Sequence, residues 1–167
     1  MTRLGAALRS LVYIIGFVWF WGWLALQLRP LGVASPLPPA SRVAGAPLMI
    51  AGGALVLSCI AWFVVAGRGT PAPFDAPRVF VPSGPYRWVR NPMYLGALVV
   101  IVGFGFWNRS LSMAAFAILA FAGAHLFVVA YEEPTLRRRF GTQYAEYLAR
   151  VNRWIPKPPG KTGDGAA

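Results

Sequence analysis

NPMYLGALVVIVGFGFWNRSLSMAAFAILAFAGAHLFVVAYEEP, residues 91–134, carries a single basic residue, Arg109, before it ends on the acid pair Glu132-Glu133. Asn91-Pro92 reads as a helix start, with Asn capping and Pro in the first helical position. Met93 to Trp107 is short, apolar and glycine-rich; Asn108-Arg109-Ser110 breaks it; Leu111 to Tyr131 is a second, longer apolar run that includes His125. A helix needs about 20 apolar residues to cross the hydrocarbon of a bilayer. The second run meets that length, and the first reaches it only with its flank, so it is expected to tilt or to sit against protein. The stretch predicts two membrane helices joined by a tight turn.

Two more apolar runs precede it, Leu11 to Leu28 with Trp19, Trp21 and Trp23, and Val43 to Ala66. The first resembles a signal peptide only in its basic start at Arg3 and Arg9, because its apolar part is too long and no small-residue cleavage pattern follows Leu28. Of 167 residues 57% are hydrophobic and 13% charged, half the charge of an average soluble domain. Four such runs leave too little polar surface to cover them, and the expectation is an all-α integral membrane protein with about four transmembrane helices. Pro36, Pro38, Pro39 and Pro47 keep the first loop non-helical, and Pro71, Pro73, Pro77, Pro82 and Pro85 do the same for the second.

Basic residues set the orientation. With four spans, thirteen of the sixteen fall on the side of the termini and the second loop, which places both termini and that loop in the cytoplasm. The net charge of +11 follows from this distribution and from anionic lipid headgroups, with no nucleic acid implied. Cys59 is the one cysteine, which excludes an intrachain disulfide and a thiolate metal cluster.

Beyond Tyr131, Glu133-Pro134 reads as a second helix start. Leu136, Phe140, Tyr144, Tyr147 and Val151 follow at spacings of three and four, one apolar stripe. This C-terminal amphipathic helix is expected at the membrane interface or folded over the cytoplasmic ends of the spans. Residues 1–156 form one domain in this reading, and 157–167 a disordered basic tail.

Glu132 and Glu133 stand where a span ends, a costly place for carboxylates and so a functional hypothesis; pairing with Arg137 and Arg138 one turn later is the structural alternative. His125, seven residues before Glu132, is expected on the same helix face. A second cluster, Gly84-Pro85-Tyr86-Arg87-Trp88-Val89-Arg90-Asn91-Pro92-Met93-Tyr94-Leu95-Gly96, brings arginines, aromatics and a helix N-terminus together. Helix N-termini bind carboxylates, and aromatic faces bind cations. An interfacial Arg/Trp/Tyr anchor is the alternative.

Gly-Pro-Tyr-x-x-x-Arg-Asn-Pro-Met-Tyr-x-Gly, with Glu132-Glu133-Pro134-x-Leu136, Phe140-Gly141-x-x-Tyr144-x-x-Tyr147 and Arg150-Val151, resembles the signature of the isoprenylcysteine carboxyl methyltransferase and phospholipid methyltransferase superfamily. The resemblance covers Arg78 to Pro156. It implies a membrane methyltransferase using S-adenosyl-L-methionine in a cytoplasm-facing pocket, with a lipophilic acceptor entering from the bilayer. The positions it carries over for the cofactor are Val79, Phe80, Val81, Tyr86, Asn91, Pro92, Met93, Tyr94 and Glu132, with Glu133 and Arg150 near the site. Glu132 is expected to hold the cofactor's ammonium or ribose, and Tyr86 and Tyr94 to shape the pocket. Glu133 or His125 is the candidate base. Asn91 stands where the isoprenylcysteine enzymes usually have His, and Val128 where they have an arginine for the substrate carboxylate. Asn91-Pro92-Met93-Tyr94 and Tyr131-Glu132-Glu133-Pro134 look more like the phospholipid N-methyltransferases, and both departures put carboxyl methylation in doubt. A membrane reductase of the sterol-reductase type using NADPH shares the tyrosine-proline pattern, and a non-catalytic membrane protein is the third reading. Acceptor identity and oligomeric state are not legible.

Overall fold

The computed structural model describes residues 36–67 and 80–158, together with helical positions 8, 12, 15, 16, 19, 20, 22–24, 26 and 27. Most of the expected first span, Val79 and residues 159–167 of the expected tail lie outside the described residues. The described chain is helical and holds no strand. Helix α1 spans Ser41–Trp62 and continues through a wide π-helical turn, Phe63–Gly67. A 3-10 turn, Gly84–Arg87, leads to α2, Pro92–Trp107. Helix α3, Leu111–Phe127, passes through a second π-helical turn, Val128–Glu132, into α4, Glu133–Arg150.

Among the described residues two helices, over Ser41–Val65 and within Leu111–Arg150, are long and apolar enough to cross a membrane; α2, with 16 residues, is shorter. Their side chains sort by size rather than polarity. On α1 the residues Gly45, Gly52 and Cys59 are buried, and on the opposite face Val43, Ile50 and Leu57 are exposed. Small residues against a neighbouring helix, with bulky apolar ones turned outward, is how a helix packs in lipid. The contact between α1 and α2 is antiparallel and set by two glycine pairs. A Cβ on Gly52 would lie 2.5 Å from the Gly96 carbonyl oxygen, and one on Gly103 would lie 2.8 Å from that of Gly45.

Three expectations are corrected. Pro47 lies inside α1, with its ring exposed, and not in a non-helical loop; a helix tolerates this where the freed carbonyl is satisfied by local adjustment. Glu133-Pro134 does not restart a helix. The backbone stays helical across Glu132 and Glu133, and the Glu133 N–H donates to Val128 O five residues back. Pro134 cannot donate and crowds the preceding turn, and the wider turn relieves that crowding. Finally, Lys157 belongs to the folded chain, because its N–H donates to Trp88 O at 2.8 Å.

The two ends of the helices are tied differently. At the α2–α3 turn, Arg109 has φ 55°, and it exchanges hydrogen bonds with Leu37 through its own backbone carbonyl and its Nε. At the other end α4 bends at Gly141 (φ 50°), and Tyr144, Tyr147 and Val151 are buried against Phe80, Leu136 and Phe140. After α4, residues 151–157 run back as a strap across residues 88–91. Arg90 N–H donates to Asn152 O at 2.9 Å, and Asn91 Nδ2 donates to Arg153 O at 3.0 Å.

Candidate functional site

The site forms where the start of α2, the α3–α4 junction and the strap converge. Pro92 is fully buried at the first position of α2, as the Asn-Pro reading anticipates. Asn91 precedes it, but its side chain makes no cap. The amide reaches instead to Arg153 O, so Asn91 holds the strap while α2 keeps its first N–H groups free of that side chain. Gly84 has φ 60° and lies against the Trp62 indole, where a Cβ would collide. That contact seats the turn carrying Tyr86.

Tyr86 stands edge-on to Phe63, with ring centroids 5.2 Å apart. Its backbone carbonyl accepts the Tyr147 hydroxyl at 2.8 Å, and its own hydroxyl shares a hydrogen bond with Cys59. Burial first, and the nearby Cys59 and Glu132 after it, push the Tyr86 phenol well above its ordinary range, so it stays protonated. One turn into α2, the Tyr94 hydroxyl donates to Glu132 Oε2 at 3.0 Å.

The two glutamates lie just past Tyr131, where the apolar run ends, and their surroundings differ. Glu133 is buried; Oε1 accepts from Arg90 Nη1 and Arg153 Nε, each at 2.8 Å, and Oε2 from Arg153 Nη2 at 3.0 Å. Burial raises its carboxyl, but the hydrogen bonds from Arg153 and the charges of Arg90, Arg153 and Arg137 outweigh burial and hold it below its ordinary value. Glu132 has the Tyr94 hydroxyl and, among the described residues, no arginine. Burial raises its carboxyl, Tyr94 lowers it, the Glu133 charge raises it again, and the net direction is upward. Two carboxylates pushed apart in this way suit two different tasks.

Other expected residues divide. Phe80 packs on Phe140, Tyr144 and Tyr147, in the core behind the site. Val81 is buried and Met93 half-buried. Arg150 is not brought in: it is exposed, and its Nε turns to Glu146 O on its own helix. Seven residues of ideal helix would return His125 and Glu132 to one face, but the π-helical turn lies between them and breaks that arithmetic. What joins them is Trp154. Its indole N–H donates to His125 Nδ1 at 3.0 Å, and its ring lies 6.3 Å from that of Tyr94.

Sequence reading missed Arg153 and Trp154, which complete the site from beyond α4. An Arg-Trp pair after an amphipathic helix is the one signal available, and nothing local to it says that the chain turns back. Among the described residues no three His, Cys, Asp or Glu side chains gather as metal ligands.

Residues 40–143 match the family model described as phospholipid methyltransferase. A 77-residue stretch is 35% identical to the nickel-cobalt-cadmium resistance protein NccN of Alcaligenes xylosoxydans xylosoxydans, covering 46% of this chain and 36% of that protein. The cobalt-zinc-cadmium resistance protein CzcN of Cupriavidus metallidurans is 36% identical over 77 residues, 46% of this chain and 35% of its own length. The methanethiol S-methyltransferase of Mycobacterium tuberculosis is 33% identical over 75 residues, 44% and 29% respectively. The matched stretches span about a third of the length of these relatives.

Proposed function

The chain belongs to the phospholipid methyltransferase family, and from that premise we propose that it transfers the methyl group of S-adenosyl-L-methionine to a lipophilic acceptor at the cytoplasmic membrane face. The observation that carries the reading is Glu132: a half-buried carboxylate held by one phenol, with no cation beside it among the described residues. A buried charge needs a partner, and the ammonium and sulfonium of S-adenosylmethionine are cations of the right kind. When bound, the cofactor supplies a methyl group made electrophilic by its sulfonium.

The chain's own residues bind, orient and exclude water. Glu132 takes the cationic part, and Tyr94 fixes the carboxylate's orientation. Tyr86 forms a wall, and the start of α2 after Asn91, Pro92 and Met93 offers backbone N–H groups to a carboxylate. Glu133, saturated by Arg90 and Arg153, is the clasp that holds the strap to the helices rather than a base. Trp154 shields the site from solvent. A methyl displacement needs alignment and desolvation more than proton transfer. Four spans with cytoplasmic termini surround this site in one domain over residues 1–156, with α4 in the membrane interface.

The test is calorimetric titration of the detergent-purified protein with S-adenosylhomocysteine, with NADPH in parallel. Saturable binding of the former is expected, weakened about tenfold or more in Glu132→Gln, since a hydrogen bond to a charged group contributes about 1.5–3 kcal/mol. Binding of NADPH without S-adenosylhomocysteine would overturn the reading in favour of a reductase.

A further inference from the structure

His125 is the one histidine of the chain. It lies on α3 between outward-turned apolar side chains, Phe121 at 36% exposure and Leu126 at 67%. An ionisable group on an apolar span is a functional hypothesis by default. An indole N–H only donates, so the Trp154 bond requires a lone pair on Nδ1. In the neutral ring the proton then sits on Nε2, which has no partner among the described residues. Trp154 stands between this imidazole and the Tyr94–Glu132 pair: its ring is 6.1 Å from His125, 6.3 Å from Tyr94 and 5.0 Å from Phe121.

We infer that His125 is an acceptor-binding residue on the bilayer side of Trp154, and that its Nε2–H selects acceptors that react through an anionic sulfur or oxygen over amines. The inference rests on the methyl-transfer reading and names its substrate class. A neutral amine has one lone pair, the one that must attack the methyl carbon, so a donor aimed at it competes with the reaction. A thiolate or carboxylate keeps lone pairs to spare; one accepts from Nε2–H while another attacks. The same hydrogen bond favours the anionic form, which for a thiol is the nucleophile. In the transfer, the acceptor's sulfur or oxygen forms its bond to the methyl carbon as the carbon–sulfonium bond breaks. The bonding pair stays on the departing sulfur as a thioether, anion and cation are both neutralised, and no proton moves. Nδ1, engaged by Trp154, is not free to serve as a base.

With a single histidine, ring-15N-labelled protein in nanodiscs yields one pair of imidazole nitrogens. Expected are an unprotonated Nδ1 and a protonated Nε2 at neutral pH, with the preference lost in Trp154→Phe. Decanethiol and decanoate, added separately, should move the Nε2–H resonance, and decylamine should not. In turnover of labelled methyl groups, His125→Asn keeps an oxygen acceptor for Trp154 and loses the distal donor, whereas His125→Gln keeps a distal N–H. The KM for decanethiol or decanoate, whichever is methylated, should be about tenfold higher in the Asn variant than in the Gln variant, with S-adenosylhomocysteine affinity the same in both. A proton on Nδ1, a response to the amine alone, or equal KM in the two variants overturns the inference. If the thiol or the carboxylate moves Nε2–H but S-adenosylhomocysteine does not bind, the donor stands and methyl transfer falls. If S-adenosylhomocysteine binds and neither anion-forming probe moves Nε2–H, the inference alone falls.

Discussion

Glu133 meets two guanidiniums and Glu132 one phenol, so neutralising these adjacent residues should move stability in opposite directions. Glu133→Gln leaves Arg90 and Arg153 without their anion, and breaking such a pair costs about 3 kcal/mol. Glu132→Gln removes a charge that burial opposes, and the ligand-free protein should melt higher. The pH dependence differs in sign as well. A lowered carboxyl contributes stability above its ordinary range and loses it as pH falls through its folded value. A raised one costs stability as pH rises through its folded value, so the gain of Glu132→Gln should vanish in acid. Thermal unfolding of both variants at neutral and acid pH checks this; a lower melting point for both at neutral pH would show that Glu132 is as well compensated as Glu133. The glutamate pair was legible as unusual because charge at the end of a span is rare. Which of the two is saturated was not, since Arg153 lies twenty residues further on.

The α3–α4 junction is an uninterrupted helix whose wide turn absorbs Pro134 and sets the angle at which the glutamates leave α3. Inserting one alanine between Phe127 and Val128, ahead of that turn, should rotate everything after it by about 100° relative to α3. Helix content, measured by circular dichroism, should persist, and S-adenosylhomocysteine binding should disappear; retained affinity would show that the turn does not set the site. The start of α2 at Asn91-Pro92 was readable because proline favours the first helical position, although Asn91 ties the strap and does not cap; the Ser110 cap, accepting from Met113 N, went unread. The π-helical turns and the bend at Gly141 were not readable, because hydropathy does not register one residue more per turn.

At the scale of the whole molecule, the proposed topology has the α2–α3 turn outside the cell and the site inside. In a Cys59→Ser background, a cysteine replacing Arg109 should react with a membrane-impermeant maleimide in intact cells, and one replacing Trp88, which is 48% exposed, only after lysis; the reverse pattern would invert the topology. The apolar runs and their order were plain from the sequence, and the glycine pairs cover the short α2 with protein along one face. The strap escaped notice because its pairing partners, residues 88–91, lie some sixty positions earlier and no periodicity links them.

That strap also orders events in time. Each helix can enter the bilayer as it leaves the ribosome, but Asn91, Arg90 and Glu133 wait for Asn152 and Arg153. On the proposed topology the helices are in place well before the site is finished, and a chain cut short at Arg150 should insert without completing it.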